Sequence, residues 1–503
     1  MKQFARSHPL LCVLSVAALV RLCSVLWSKG FVHSDDYYDT VTVAYNWLVN
    51  GFWGSNGFLT WNSFSSETVG RFPLYTLFLW LIMKLFQLFG SDSLNTMMYG
   101  IRAAHAAISL LPVWAVWRIT RQVTGRDSWA VTGGLMVALQ FAMPFLGVRN
   151  LIEMVGGNVW IVVFVFLYRH QTEARGRLLL YAGLVSGLAW MLRFQIAFAV
   201  IPIPFVLWFE ARKLRPAVLY SSGVAVMLLF SVVADYYLLG RFAGSTINNL
   251  IINVGQAPLY KTIPFLYPAL LLLLLVPPFS LAATWAMFNK RFFVRHRALV
   301  ISFLVFLIWH MATANQQERF ILPMLPVFLL MAILALWERF LCKGEITANP
   351  RTFTRICVIS SAINLGLLVP VSLAYGHRGL IESVLSVRKL KPEAHVLFVQ
   401  PDMRPHVPIA FADRRSKAWF VRDWAELPRL SDEALANGPV DYVVIFPTDG
   451  RPLEATLDSV AAHLGPMTQV THITASYYDQ LLYRLNPKHN DSFEAYIFRP
   501  EEA

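Results

Sequence analysis

Two adjacent carboxylates, Asp35 and Asp36, stand in Val32-His33-Ser34-Asp35-Asp36-Tyr37-Tyr38-Asp39, directly after the first apolar run of the chain. A carboxylate so placed can accept a proton from a hydroxyl, hold a divalent cation, or cap the helix that follows it. The capping reading is concrete, because Val41, Ala44, Tyr45 and Leu48 recur at helical spacing and predict an amphipathic interfacial helix over 37–49. One aspartate can cap while its neighbour acts, so both roles stay open. Magnesium or manganese enters such sites with few protein carboxylates plus substrate phosphate. No second carboxylate motif of clear spacing accompanies the pair, so no metal is assigned. His33 and His310 each stand alone and read as hydrogen-bonding residues.

Arginines form the second group with chemical potential. They occur in Arg149-Asn150-Leu151-Ile152-Glu153, in Met191-Leu192-Arg193-Phe194-Gln195, in Asn315-Gln316-Gln317-Glu318-Arg319-Phe320, and at Arg71. Each lies beside an apolar run on the side that the charge pattern places away from the cytoplasm. That location runs against the positive-inside bias and demands a partner, either a carboxylate or a phosphate. Taken singly, each reads as a snorkelling side chain or a structural ion pair. Four arginines on the face that carries the aspartates point towards an anionic ligand.

These residues must be positioned by a membrane protein. Of 503 residues, 56% are hydrophobic and only 15% charged, with a mean hydropathy of +0.51, where soluble domains carry about a quarter charged residues. The net charge of +13 is gathered in short clusters between apolar runs, which is orientation charge and not a nucleic-acid surface. Apolar runs at 9–27, 98–117, 129–148, 158–168, 178–192, 196–209, 217–238, 264–287, 298–313, 320–337 and 356–375 predict about eleven transmembrane helices. The run 72–89 begins at Pro73 and contains Lys84. If it lies in the outer interface, the basic loops Arg118–Arg126, Arg169–Arg177, Arg212–Arg215, Lys290–Arg297 and Arg339–Arg355 all fall on one side. The opposite face then receives the first outer loop, 28–97, the loop at Arg149 and Glu153, the turn at Arg193, the loop 239–263, the turn Asn315–Arg319 and the C-terminal region.

From about 376 the composition becomes that of a soluble chain. His395–Val399, Tyr442–Phe446 and Tyr496–Phe498 read as strands and Leu457–Leu464 as a helix, a small α/β domain over 376–503 after a membrane domain over 1–375. No phosphate-binding glycine loop is present in it. Cys12, Cys23, Cys342 and Cys357 have neither zinc nor disulfide spacing.

The arrangement resembles the GT-C glycosyltransferases, and within them the dolichol- or polyprenyl-phosphate-mannose-dependent mannosyltransferases that build GPI anchors and lipid-linked oligosaccharides. His33-Ser34-Asp35-Asp36 is similar to the His-Pro-Asp-Glu motif that opens their first luminal loop, with Ser34 for proline and Asp36 for glutamate. Leu59-Thr60-Trp61 with Arg71 and Pro73 resembles a second stretch, Asn62 standing where that group has glutamate. Gln317-Glu318-Arg319-Phe320 with Pro323 resembles a third. The resemblance implies transfer of mannose from a polyprenyl-phosphate donor to an acceptor hydroxyl with inversion, Asp35 serving as base and Asp36 as the alternative. It implies that His33, Arg71, Arg149, Arg193 and Arg319 meet donor phosphate or substrate, with Glu153, Gln316, Gln317 and Glu318 orienting arginines or binding sugar hydroxyls. No cofactor is implied. The partners would be the lipid-linked donor, membrane lipid and a glycan, lipid or protein acceptor. The C-terminal soluble domain favours a bacterial inner membrane with a periplasmic active face, and the sequon Asn490-Asp491-Ser492 keeps the endoplasmic reticulum as an alternative. A transporter or flippase of lipid-linked sugars is the competing function. Its usual marks, inverted repeats and charges at the bilayer midplane, are not seen in the sequence.

Overall fold

The computed structural model describes residues 7–33, 37–51, 72–256, 262–263, 265–341, 350–401, 407–448, 451–487 and 490–501. The chain divides into two compact units, one of residues 1–25, 64–77 and 102–372, the other of 26–63, 78–101 and 373–503.

The first unit is a helical bundle. Seven helices among the described residues are long and apolar enough to cross a membrane: Pro9–Trp27, Leu94–Thr124, Ile152–Glu173, Phe194–Ala211, Leu214–Tyr237, Glu318–Phe340 and Arg351–Ser372. Leu74–Leu88, Gly176–Leu192 and Arg297–Ala312 are shorter apolar helices. Leu266–Leu274 and Phe279–Met287 meet at 119°, across a break that contains Pro277-Pro278. Proline cannot donate to a helix ladder, and side chains from elsewhere take the backbone groups released here. Gln140 Nε2 donates to Leu274 O at 2.7 Å, and Phe279 N donates to Ser360 Oγ at 2.9 Å.

All twelve residues of Leu325–Leu336 are buried. The segment is apolar around its whole circumference, the condition for a helix enclosed on every side. Ile152–Glu173 differs from the sequence expectation. It starts six residues before 158, so Glu153 stands in its first turn and not in a loop. Gly156 and Gly157 are close-approach positions inside this helix. A Cβ on Gly157 would lie 2.6 Å from Pro323 Cα, and one on Gly156 would lie 2.8 Å from Ile196 Cδ1. Glycine in an apolar bundle lets backbones approach more closely than any other residue allows. The expected loop 239–263 also contains a helix, Gly244–Gln256.

The second unit holds a five-stranded mixed sheet. Its strands are β1 (His395–Val399), β2 (Lys417–Val421), β3 (Tyr442–Ile445), β4 (Met467–Ile473) and β5 (Ala495–Pro500), in the order β2-β1-β3-β5-β4. β1 pairs in parallel with β2 and β3, whereas β5 runs antiparallel to β3 and β4. Leu397, Val399, Val421, Val443 and Ile445 form its core with Leu430 and Val460 of the covering helices. Segments of the first outer loop belong to this unit. Gly30 bridges to Gly376, the Phe31 ring stacks on His377 at 4.3 Å, and Tyr37 stacks on Phe411 at 5.5 Å. Gly30 has φ +82°, and a Cβ there would lie 1.8 Å from Gly376 O, so only glycine fits. The helix expected over 37–49 enters as a π turn, Tyr37–Thr42, and continues as Val43–Asn50. Asn46 and Trp47 are buried together with Ala44, Tyr45 and Leu48, so this helix is enclosed on more than its apolar stripe.

Candidate active site

Glu153 is the centre of a buried ionic cluster in the first unit. Its side chain is wholly inaccessible, while Arg193 is 8% and Arg319 7% exposed. Arg193 Nη2 lies 3.1 Å from Glu153 Oε1, and Arg319 Nε lies 3.8 Å from the same oxygen. The two arginines come from different elements. Arg193 is the extended residue that ends helix Gly176–Leu192, and Arg319 is in the 3-10 turn Glu318–Met324. The glycine pair explains how both reach one carboxylate. Gly157 admits Pro323 of the segment that carries Arg319, and Gly156 admits Ile196 and the Arg193 Cβ, the latter 3.3 Å from where a Cβ would stand. Glu153 is therefore presented one helical turn before the two approaches that bring its partners.

Further contacts fix the guanidinium planes. Arg319 Nε donates to Gln317 Oε1 at 2.9 Å. Arg193 and Arg319 both lie over the Phe320 ring, 4.9 and 5.5 Å from its centroid, within the range of cation–π attraction. Gln316 is spent on backbone: its Nε2 donates to His310 O and Met311 O, each at 3.1 Å, and its Oε1 accepts from Ile263 N at 2.7 Å. Arg149 is 2% exposed and lies 4.5 Å above the Phe145 ring. Glu318, adjacent to Arg319, is exposed. The described pairing thus gathers Glu153, Arg193, Arg319 and Gln317, leaves Glu318 on the surface, and uses Gln316 as a brace between segments. His310 Nδ1 hydrogen-bonds Phe306 O at 2.8 Å and its ring stacks on Phe306, the hydrogen-bonding role expected of it.

Asp35, Asp36 and Arg71 lie outside the described residues, as does the Leu59-Thr60-Trp61 stretch. His33, half-buried, ends the described segment before the aspartates. After them come Tyr37 and Tyr38. Burial pushes both phenols above their ordinary range, with Arg422 opposing the effect at Tyr38. Both phenols therefore stay protonated through the physiological range.

Two features of the bundle escaped the sequence reading. Arg21, in the first apolar run, is 1% exposed and its Nε donates to Ser109 Oγ at 2.6 Å. An arginine inside a span was the available signal, since it must be satisfied by protein. Tyr75 and His105 form a buried pair at 2.8 Å, which no local pattern reveals. No group of three or more His, Cys, Asp or Glu residues suited to a metal ion occurs among the described residues.

A family model described as the Alg9-like mannosyltransferase family matches residues 12–401. Comparison with curated proteins returns no match. Among solved structures, ArnT from Cupriavidus metallidurans bound to undecaprenyl phosphate shares the fold at a TM-score of 0.63 and 15% identity, with 99% of each chain covered. The apo oligosaccharyltransferase of Archaeoglobus fulgidus aligns at a TM-score of 0.52 and 14% identity, covering 87% of this chain and 69% of that one.

Proposed function

From the premise that this chain belongs to the Alg9-like mannosyltransferase family, a multi-pass membrane glycosyltransferase of GT-C fold, we propose the donor, the sugar and the residues that act. The donor is a polyprenyl-phosphate-linked mannose, and the acceptor is a hydroxyl presented on the face away from the basic loops. A bacterial inner membrane, with that face in the periplasm, is the location we assign. The single observation that carries the reading is the buried Glu153 flanked by Arg193 and Arg319. The undecaprenyl phosphate bound to the Cupriavidus ArnT supports the donor class.

In this reaction the acceptor oxygen attacks the anomeric carbon as the bond from that carbon to the donor phosphate oxygen breaks. The acceptor proton passes to Asp35 or Asp36, and one displacement inverts the anomeric centre. The polyprenyl phosphate departs with an added negative charge, which guanidinium groups stabilise through charge-assisted hydrogen bonds. Arg193 and Arg319, with Arg149, are assigned that task, and Arg71 and His33 are assigned to substrate. Glu153 holds the two arginines in place before substrate arrives, and Gln317 fixes the plane of one of them. Preorganised charge of this kind needs no rearrangement during the reaction.

Purified protein incubated with radiolabelled polyprenyl-phosphate-mannose and candidate acceptors tests the assignment. Asp35→Asn or Asp36→Asn should lower transfer by about 10²–10⁴, the usual worth of a general base, with the variant still monodisperse. Wild-type rates in both variants would remove the aspartates from the mechanism. Absence of transfer with every mannosyl donor, alongside movement of labelled lipid across a vesicle, would favour a flippase.

A further inference from the structure

The bundle contains a second candidate binding place, unconnected with the Glu153 cluster in the contacts described. A cavity of about 380 Å³ lies between helices Asp127–Leu139, Leu325–Leu336 and Pro350–Ser372 and the bend at Val276. Its wall includes Trp129, Met136, Ile333, Phe353 and Cys357. Thr132 and Leu365 line it and are exposed, so it opens through the outer surface of the bundle. The volume falls within the range of about 300–1,000 Å³ typical of ligand pockets.

Three polar side chains of the wall, Gln140, Ser360 and Asn364, are already engaged by backbone released at helix breaks. Gln140 donates to Leu274 O and Ser360 accepts from Phe279 N. Asn364 donates to Leu139 O at 2.7 Å and accepts from Phe141 N at 2.9 Å. The surface left for an occupant is mostly apolar. One end of the cavity is bordered by aromatic rings that carry arginines. Trp129 lies 5.9 Å from Trp337, and the Arg126 guanidinium lies 4.9 Å over Trp337. On the other side Phe353 stacks on Phe340 at 4.5 Å, Phe340 meets Trp285 at 6.1 Å, and Arg339 lies 4.2 Å over Trp285. The nearby carboxylates are taken elsewhere, Glu338 by Arg295 at 2.8 Å and Asp127 by Arg121 at 2.6 Å. Among the described residues, the buried Nε of Arg339 has no hydrogen-bond partner.

An apolar slot open to lipid, with tryptophans and two cations at its basic-loop end, matches an anionic amphiphile whose headgroup sits at the interface. We propose that this cavity holds one acyl chain of an anionic glycerophospholipid, with its phosphate on Arg126 and Arg339.

Delipidated protein titrated with phosphatidylglycerol or phosphatidylcholine of equal chain length, followed by native mass spectrometry, tests this. One phosphatidylglycerol should be retained per chain. Arg126→Gln with Arg339→Gln should weaken that binding by about tenfold or more, the worth of one charge-assisted hydrogen bond, without altering phosphatidylcholine. Ile333→Trp should abolish it. A protein carrying Cys12→Ser, Cys23→Ser and Cys342→Ser gives an independent readout, because saturating phosphatidylglycerol should then slow maleimide labelling of Cys357. Equal retention of both lipids, unchanged labelling, or one-for-one displacement by undecaprenyl phosphate would overturn the proposal. The last result would assign the cavity to a prenyl chain. None of these measurements requires sugar transfer.

Discussion

Replacing Glu153 with glutamine removes one negative charge from the cluster while keeping the shape of the side chain. At an effective dielectric of about 20, a carboxylate attracts a guanidinium by about 5 kcal/mol at the 3.1 Å of Arg193 and about 4 kcal/mol at the 3.8 Å of Arg319. Desolvation of the buried ions offsets much of that attraction, and breaking one buried pair by removing a partner costs about 3–5 kcal/mol net. Such a loss is large against the roughly 5–15 kcal/mol that holds a typical fold. The single variants Glu153→Gln and Arg193→Gln should therefore each be strongly destabilised. The double variant should be less destabilised than their sum, because both singles break the same Glu153–Arg193 pair, which can be lost only once, while Arg319 loses Glu153 in the double as it does in Glu153→Gln. Equilibrium unfolding in mixed detergent micelles, run on the wild type, both singles and the double, isolates the coupling. We expect about 2 kcal/mol, towards the upper end of the range for residues in one network. Additivity within about 0.5 kcal/mol would refute the claim that Glu153 organises the arginines. The transfer assay adds a second discriminant, since Arg193→Gln should raise the donor KM if that guanidinium meets the phosphate.

Gly157→Ala should lower both stability and transfer. Its methyl group would press on Pro323 backbone at 2.6 Å, an overpacking cost of about 1–3 kcal/mol. Gly255→Ala meets nothing within 4 Å in its helix and should be neutral or slightly stabilising; equal effects in thermal unfolding would contradict the close-approach argument. Gly30→Ala should release the Gly30–Gly376 bridge, read out as faster amide exchange at Gly376. Protection at the wild-type level would show that the positive φ is not required. Asp479 accepts the backbone N–H groups of His377 and Arg378 at 2.8 and 3.1 Å, at the start of helix Arg378–Leu390. Burial raises its carboxyl above the ordinary 3.8 in spite of those bonds. A raised folded value means that its contribution is complete below about 3.8 and declines as pH rises through the folded value. The stability of the wild type relative to Asp479→Asn should therefore fall as pH rises across that window. A difference independent of pH in denaturant titrations would dismiss the burial argument.

What could be read from the sequence alone follows from where burial is continuous enough to leave an unbroken apolar run. The three strands recognised in the sequence, at 395–399, 442–446 and 496–498, are β1, β3 and β5, the inner members of the order β2-β1-β3-β5-β4. Inner strands are covered on both faces and appear as apolar runs. The two missed strands, Lys417–Val421 and Met467–Ile473, are the edges, and β4 carries the largely exposed Thr-Gln-Val-Thr-His-Ile. The membrane helices were legible for the same reason, through continuous hydropathy and the basic loops between them. The start of Ile152–Glu173 was not, because Glu153, Gly156 and Gly157 look like loop residues to any reading based on apolarity. Inside an apolar bundle those residue types have the opposite meaning. A charge there must be paired, and a glycine there marks where another backbone comes close. The signal available in sequence was their conjunction: an acid one turn before a Gly-Gly step, at the edge of a span, in a chain with arginines at the edges of two others. Read that way, Glu153-x-x-Gly156-Gly157 predicts a helix rather than a loop, and it predicts that something positively charged crosses it.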